Sequence, residues 1–89
     1  MCRNIRVLHS FEPPTTPDEI RSAALQFVRK VSGTNKPSMA TQSAFDRAVE
    51  EVAATTERLL AALPAREPRR TREGERERAR LRWARRTAV

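Results

Sequence analysis

The chain has 89 residues, of which 18 are lysine or arginine and 11 aspartate or glutamate, for a net charge of +7, with one cysteine. This length admits one small domain, the lone Cys2 excludes an internal disulfide and fits reducing surroundings, and no stretch approaches the roughly 20 apolar residues of a membrane span. The charge is uneven: residues 66–89 hold ten arginines, no lysine and four acids, and so carry +6 of the total, whereas the preceding residues hold eight basic and seven acidic side chains.

The opening segment, MCRNIRVLHSF, lacks the uninterrupted apolar stretch and small-residue cleavage site of a secretory signal, so a cytoplasmic location is the expectation. Ile5, Val7 or Leu8, and Phe11 read as the anchors of an extended arm or short strand laid on helices. Pro13 and Pro14 then impose an extended turn.

The first helix is marked at both ends. Thr16 is an N-cap, Pro17 suits the first helical position and Glu19 completes a capping box, with Asp18 and Glu19 both favoured at the positive end of the helix dipole. Ile20, Ala23, Ala24, Phe27, Val28 and Val31 follow at i, i+3, i+4, i+7, i+8 and i+11, a single apolar stripe, and Gly33 stops the helix after Arg29 and Lys30. Leu25 falls off the stripe, as an exposed leucine or a contact with the arm or another subunit.

The polar connection from Ser32 to Ala40 exceeds the short turn of a DNA-binding helix-turn-helix. A second helix is predicted from Thr41 to the stop at Pro64, with Phe45, Ala48, Val49, Val52, Ala53, Thr56, Leu59, Leu60 and Leu63 on one face. Residues 66–72, with Pro68, read as a flexible, solvated linker. From Glu73 onward good helix formers and Glu/Arg pairs one turn apart, above all Glu77 with Arg80, predict a partial third helix. The expected fold is therefore all-α: a helical hairpin, residues 1–64, with an N-terminal extended arm, followed by a basic tail, residues 65–89.

Five sequence blocks, MCRNI from Met1, FEPP at Phe11 to Pro14, LQFVRKVSG at Leu25 to Gly33, KPS at Lys36 to Ser38 and AFDRAVEEV at Ala44 to Val52, stand in this order. Together they resemble the bacterial domain-of-unknown-function family twenty-two seventy-seven over roughly Met1 to Leu63. The resemblance implies a bacterial source and a compact, mostly helical protein, and it assigns no activity, substrate or cofactor. The chain departs from that pattern at His9, where the family more usually has an amide, and in a tail richer in arginine.

Side chains with chemistry are few. Cys2 and His9 supply two zinc ligands where a structural site wants four, so no metal or cofactor is expected. A Cys2/His9 pair beside Arg3 is formally a nucleophile and base, but no orienting group accompanies it, and no enzyme is predicted. Lys30, Ser32, Gly33, Lys36 and Ser38 surround the start of the second helix and form a candidate anion-binding loop. That loop lacks the spacing of a Walker motif, and a plain capping turn is the competing reading.

The tail admits three readings. Arg69, Arg70, Arg72, Arg76, Arg78, Arg80, Arg82, Arg85 and Arg86 can grip phosphates with planar guanidinium groups and, with Trp83, stack on unpaired bases, which suits RNA more than DNA. Leu81, Trp83 and Ala84 can instead anchor a helix in a groove of an acidic protein. The third reading is a solvated terminus with no partner. Two function hypotheses follow: a non-enzymatic nucleic-acid-binding module, with the leftover apolar surface of two helices paired into a homodimer, and a helical protein-interaction or regulatory protein whose basic tail is incidental.

Overall fold

The computed structural model describes residues 5–87, which form three helices and no strand. Helix α1 spans Pro17–Ser32, α2 spans Gln42–Ala62 and α3 spans Arg72–Thr87. The all-α class expected from the sequence is the one observed.

The ends of α1 are set by the predicted residues. The Thr16 hydroxyl accepts from the Glu19 N–H at 3.3 Å and the Glu19 carboxylate accepts from the Thr16 N–H at 2.9 Å, which closes the capping box. Gly33 takes a left-handed conformation, φ 69°, and its N–H donates to the Arg29 carbonyl, a stop that glycine adopts without steric cost. Thr41 precedes α2 as foreseen but stays in right-handed helical geometry and makes no side-chain cap. Its hydroxyl lies 3.0 Å from the Ser38 hydroxyl instead.

Helices α1 and α2 pack as a hairpin around Ala24, Val28 and Val49, the last only 2% exposed, with Leu25, Phe45, Ala48, Val52 and Ala53 packed against them. The contact is rotated from the predicted stripe. Successive helical residues turn about 100°, so Leu25 and Phe27 flank the midpoint of Ala24 and Val28 equally, and α2 covers the Leu25 side and leaves the Phe27 side open. Leu25 is therefore a core contact, and Phe27 and Val31 are 47% and 71% exposed. Leu59 on α2 and Leu63 at its C-cap are also exposed, because a single facing helix covers only a narrow strip. Arg21 and Glu50 form an ion pair across the hairpin, but both side chains are more than half exposed, so its contribution is small.

The N-terminal arm lies over the hairpin as expected. Leu8 and Phe11 are buried, whereas Ile5 and Val7 remain exposed. Met39, in the connecting loop, is fully exposed and packs on nothing.

Two expectations for the C-terminal part need correction. Residues 66–72 are no free linker: the Arg70 N–H donates to the Ser10 carbonyl at 2.7 Å, the Glu12 N–H donates to the Arg70 carbonyl at 2.8 Å, and Phe11 and Arg70 form an isolated parallel β-bridge. The Arg66 N–H also donates to the Ser10 hydroxyl at 2.8 Å. Backbone polar groups that the linker reading left to water are satisfied by the arm. The third helix is also complete rather than partial, because Thr71 caps it: its hydroxyl accepts from the Gly74 N–H at 2.9 Å. Glu77 pairs with Arg80 as predicted.

Apart from the contact of Arg72 with Glu19 at its base, helix α3 packs against neither α1 nor α2 among the described residues. The radius of gyration is 15.7 Å, against about 12 Å for a compact chain of this length. The chain is a hairpin from which a helix about 24 Å long projects.

Candidate nucleic-acid interface

The site is built from the base of α3 outward. At the base, Arg72 is held by four different groups of the body. Its Nη2 and Nε donate to the two Glu19 carboxylate oxygens at 2.6 and 3.0 Å. Nη1 donates to the Pro13 carbonyl at 2.8 Å and Nη2 to the Pro14 carbonyl at 3.2 Å. The guanidinium also lies 5.2 Å from the centroid of the Phe11 ring, within cation–π range. Such a planar fork, with five fixed donors, is what a lysine cannot reproduce.

Glu19 thereby serves two elements, capping α1 and gripping the first residue of α3. The hydrogen bonds from Arg72, then the backbone N–H of Thr16, hold its carboxyl at about 2, well below the usual 4.5, and Arg72 is correspondingly raised. Arg70 strengthens the same clasp: its Nη1 donates to the His9 carbonyl at 2.8 Å and its Nε stands 3.4 Å from the Glu75 carboxylate.

The candidate phosphate-binding residues fall into two groups. Arg69, Arg70, Arg72, Arg78 and Arg80 each face a carboxylate, respectively Glu67, Glu75, Glu19, Glu75 and Glu77. Only Arg72 is neutralised by the body; the other four arginines share three carboxylates of the tail itself, Glu67, Glu75 and Glu77. The Arg80 guanidinium lowers the Glu77 carboxyl and is raised in return. Arg76, Arg82, Arg85 and Arg86 make no ion pair among the described residues, and all are exposed.

Helix periodicity gives the exposed charge a direction. Arg78, Arg82, Arg85 and Arg86 stand at i, i+4, i+7 and i+8, one face of α3, while Arg76, Arg80 and Trp83, at i, i+4 and i+7, share another. Glu77 is the last acid of the chain, so the distal half of α3 is cationic without interruption. Arg85 and Arg86 also sit in its last turn, where the dipole favours positive charge. Trp83 is 65% exposed and Leu81 44%. They lie nearly opposite one another around the helix, so no continuous apolar seam forms for a groove-binding mode.

The connecting loop is less well equipped. The Ser32 hydroxyl donates to the Arg29 carbonyl at 3.5 Å and accepts from the Thr34 N–H at 3.2 Å. Ser38 is paired with Thr41, and Gly33 supplies the left-handed stop. Lys30 and Lys36 are exposed. Hydroxyls already employed in closing a turn favour the plain capping reading of this segment.

His9 is a hydrogen-bonded arm residue: its Nδ1 lies 2.9 Å from the Ser10 hydroxyl and its Nε2 3.5 Å from the Leu63 carbonyl. Cys2, invoked with it as a metal or nucleophile pair, lies outside the described residues. Among the described residues no three metal-ligating side chains gather, and no helix is long and apolar enough to cross a membrane.

Residues 1–78 match the family described as Uncharacterized conserved protein (DUF2277), and the chain belongs to that family. No curated protein and no solved structure matches it. The match runs past Leu63, where the resemblance read from the sequence blocks ends, through the clasp and the first turns of α3. It stops just before the distal arginines: Arg72 lies inside the shared region, whereas Arg80, Arg82, Arg85 and Arg86 lie beyond it.

Sequence reasoning missed Ser10, Glu12 and Glu19 as partners of the tail. The one signal available was the FEPP block itself, whose Phe11 ring and Pro13 and Pro14 carbonyls all receive Arg72.

Proposed function

We propose that this chain is a non-enzymatic nucleic-acid-binding module of the bacterial cytoplasm, in which the clasp at Arg70 and Arg72 holds α3 as a basic rod for RNA. The observation that carries the reading is the exposed face of Arg78, Arg82, Arg85 and Arg86 on a helix that, beyond the Arg72 seat at its base, packs on neither α1 nor α2 among the described residues. A helix polar on all sides and without a packing partner gains little stability from its own burial, and a face of arginines is complementary to a row of phosphates. Trp83, beside Arg76 and Arg80, adds a ring on which an unpaired base can stack, which favours single-stranded or looped RNA over duplex DNA. The exposed Ile5, Val7, Phe27 and Val31 supply the apolar face for a homodimer, checked by sedimentation of the intact chain.

The test is fluorescence anisotropy with a single-stranded RNA and a duplex DNA of equal length across a salt series. If the four arginines of one face each neutralise one phosphate, the logarithm of the single-strand association constant falls with a slope of about −3 against log salt. The triple variant R82A/R85A/R86A should then bind far more weakly while keeping the helical content of the hairpin. No binding at the lowest salt overturns the reading; retention of an acidic protein partner by that variant would favour the protein-interaction alternative.

A further inference from the structure

A cleft of about 300 Å³ lies between the arm, α2 and the segment before α3, apart from the distal arginines. Its floor is apolar, formed by Phe11, Ile20 and Leu60, and its rim carries His9, Glu57 and Arg69. The volume is at the lower end of those that hold small molecules, and an apolar floor with a few convergent polar groups is the usual composition of such sites.

The polar groups of the rim are poised. The Ser10 hydroxyl accepts from the Arg66 N–H and lies 2.9 Å from the His9 Nδ1, to which it donates in the tautomer that turns the ring N–H towards the Leu63 carbonyl, an acceptor only. A neutral imidazole that accepts at Nδ1 carries its proton on Nε2. This N–H has only the Leu63 carbonyl at 3.5 Å, too long for a good bond, and is available to a better acceptor. Arg69 uses Nε on Glu67 at 3.1 Å, which leaves its outer nitrogens uncommitted to any carboxylate. Glu57 has no hydrogen-bond or ion-pair partner among the described residues. Ser10, which orients His9, is held at φ 63°, in the left-handed region that a non-glycine residue adopts only at a cost. The clasp maintains that strain through the Ser10 carbonyl and hydroxyl together.

We infer that this cleft binds a small zwitterion of the amino-acid class with an apolar side chain: its ammonium against Glu57, its carboxylate against Arg69 and the His9 Nε2–H, and its side chain on Phe11, Ile20 and Leu60. A bare anion would meet the Glu57 carboxylate and a bare cation would meet Arg69. A ligand carrying both charges satisfies each group, and none is left desolvated without a partner.

The experiment is an amide chemical-shift titration of the full chain with L-phenylalanine, L-phenylalaninamide and 3-phenylpropionate. The zwitterion should produce saturable shifts at His9, Ser10, Leu60 and Arg69, and each analogue lacking one charge should bind about tenfold more weakly. Glu57→Gln should weaken L-phenylalanine about tenfold and strengthen 3-phenylpropionate, whose carboxylate no longer meets a like charge; Arg69→Gln should weaken L-phenylalanine and strengthen the cationic amide. Both side chains are at the surface, so the unliganded spectra report whether the fold is intact. Absence of saturable shifts, equal binding of the three probes, or shifts confined to Ile5, Val7 and Phe27 would overturn the inference. None of these outcomes depends on α3 binding RNA.

Discussion

Replacing Glu19 by glutamine separates the two tasks of one side chain. Glutamine keeps an oxygen to accept the Thr16 N–H, so the capping box survives, but the charge that faces Arg72 is gone and an amide N–H₂ now meets the guanidinium. The difference between the ordinary carboxyl value of 4.5 and the folded value of about 2 would correspond to about 3 kcal/mol at full strength. Glu19 and Arg72 side chains are 23% and 29% exposed, and solvent screening reduces that to about 1–2 kcal/mol, the range of a hydrogen bond to a charged group. For a domain of this size, the melting temperature should fall by about 5–15 °C at neutral pH. The sign in acid follows from a lowered carboxyl: the contribution is complete above pH 4.5 and disappears as the pH falls towards 2. Urea denaturation of both proteins at pH 7, 4.5, 3 and 2 should show a gap that closes only in the last part of the series. A gap of equal size at pH 2, or none at pH 7, would refute the ion pair as its source.

Val49→Ala removes two carbons at the centre of the hairpin, where the side chain is 2% exposed; the lost burial and the cavity together should cost about 2–3 kcal/mol in urea denaturation. Gly33→Ala meets no atom within 4 Å, so its penalty is conformational alone, about 1–2 kcal/mol for a left-handed residue, measured by thermal unfolding. Thr71→Ala removes the acceptor for the Gly74 N–H and should cost about 1 kcal/mol locally, seen as faster amide exchange in the first turn of α3 with the hairpin unchanged.

The hairpin was legible because its signals are local. Thr16, Pro17, Glu19 and Gly33 bracket α1 within its own sequence, and an i, i+4 pair such as Ala24 and Val28 marks a buried face wherever the partner lies. The exact rotation of that face was not legible: Leu25 and Phe27 exchange roles according to where α2 sits, which depends on Val49 and Phe45 across the hairpin. The clasp was hidden for a different reason. Glu19 and Arg72 are 53 residues apart, and nothing in the spacing of arginines distinguishes the one that seats on a carboxylate from those that face water. Thr71 carries no capping-box signature, since Gly74 stands where such a box would place glutamate. The distal arginine face was legible as composition but acquired a direction only once α3 proved to be a complete helix.

The seat of Arg72 also decides how the chain can be shortened. A truncation at Pro64 or Ala65, intended to strip away positive charge alone, would withdraw the counter-ion of Glu19, uncover Phe11 and release Ser10 from its backbone donors. The stump would lose solidity along with charge, and its silence in a binding assay would be ambiguous. Ending the polypeptide after Arg78, where the family match also ends, keeps the buttress and discards the outer cations together with Leu81 and Trp83.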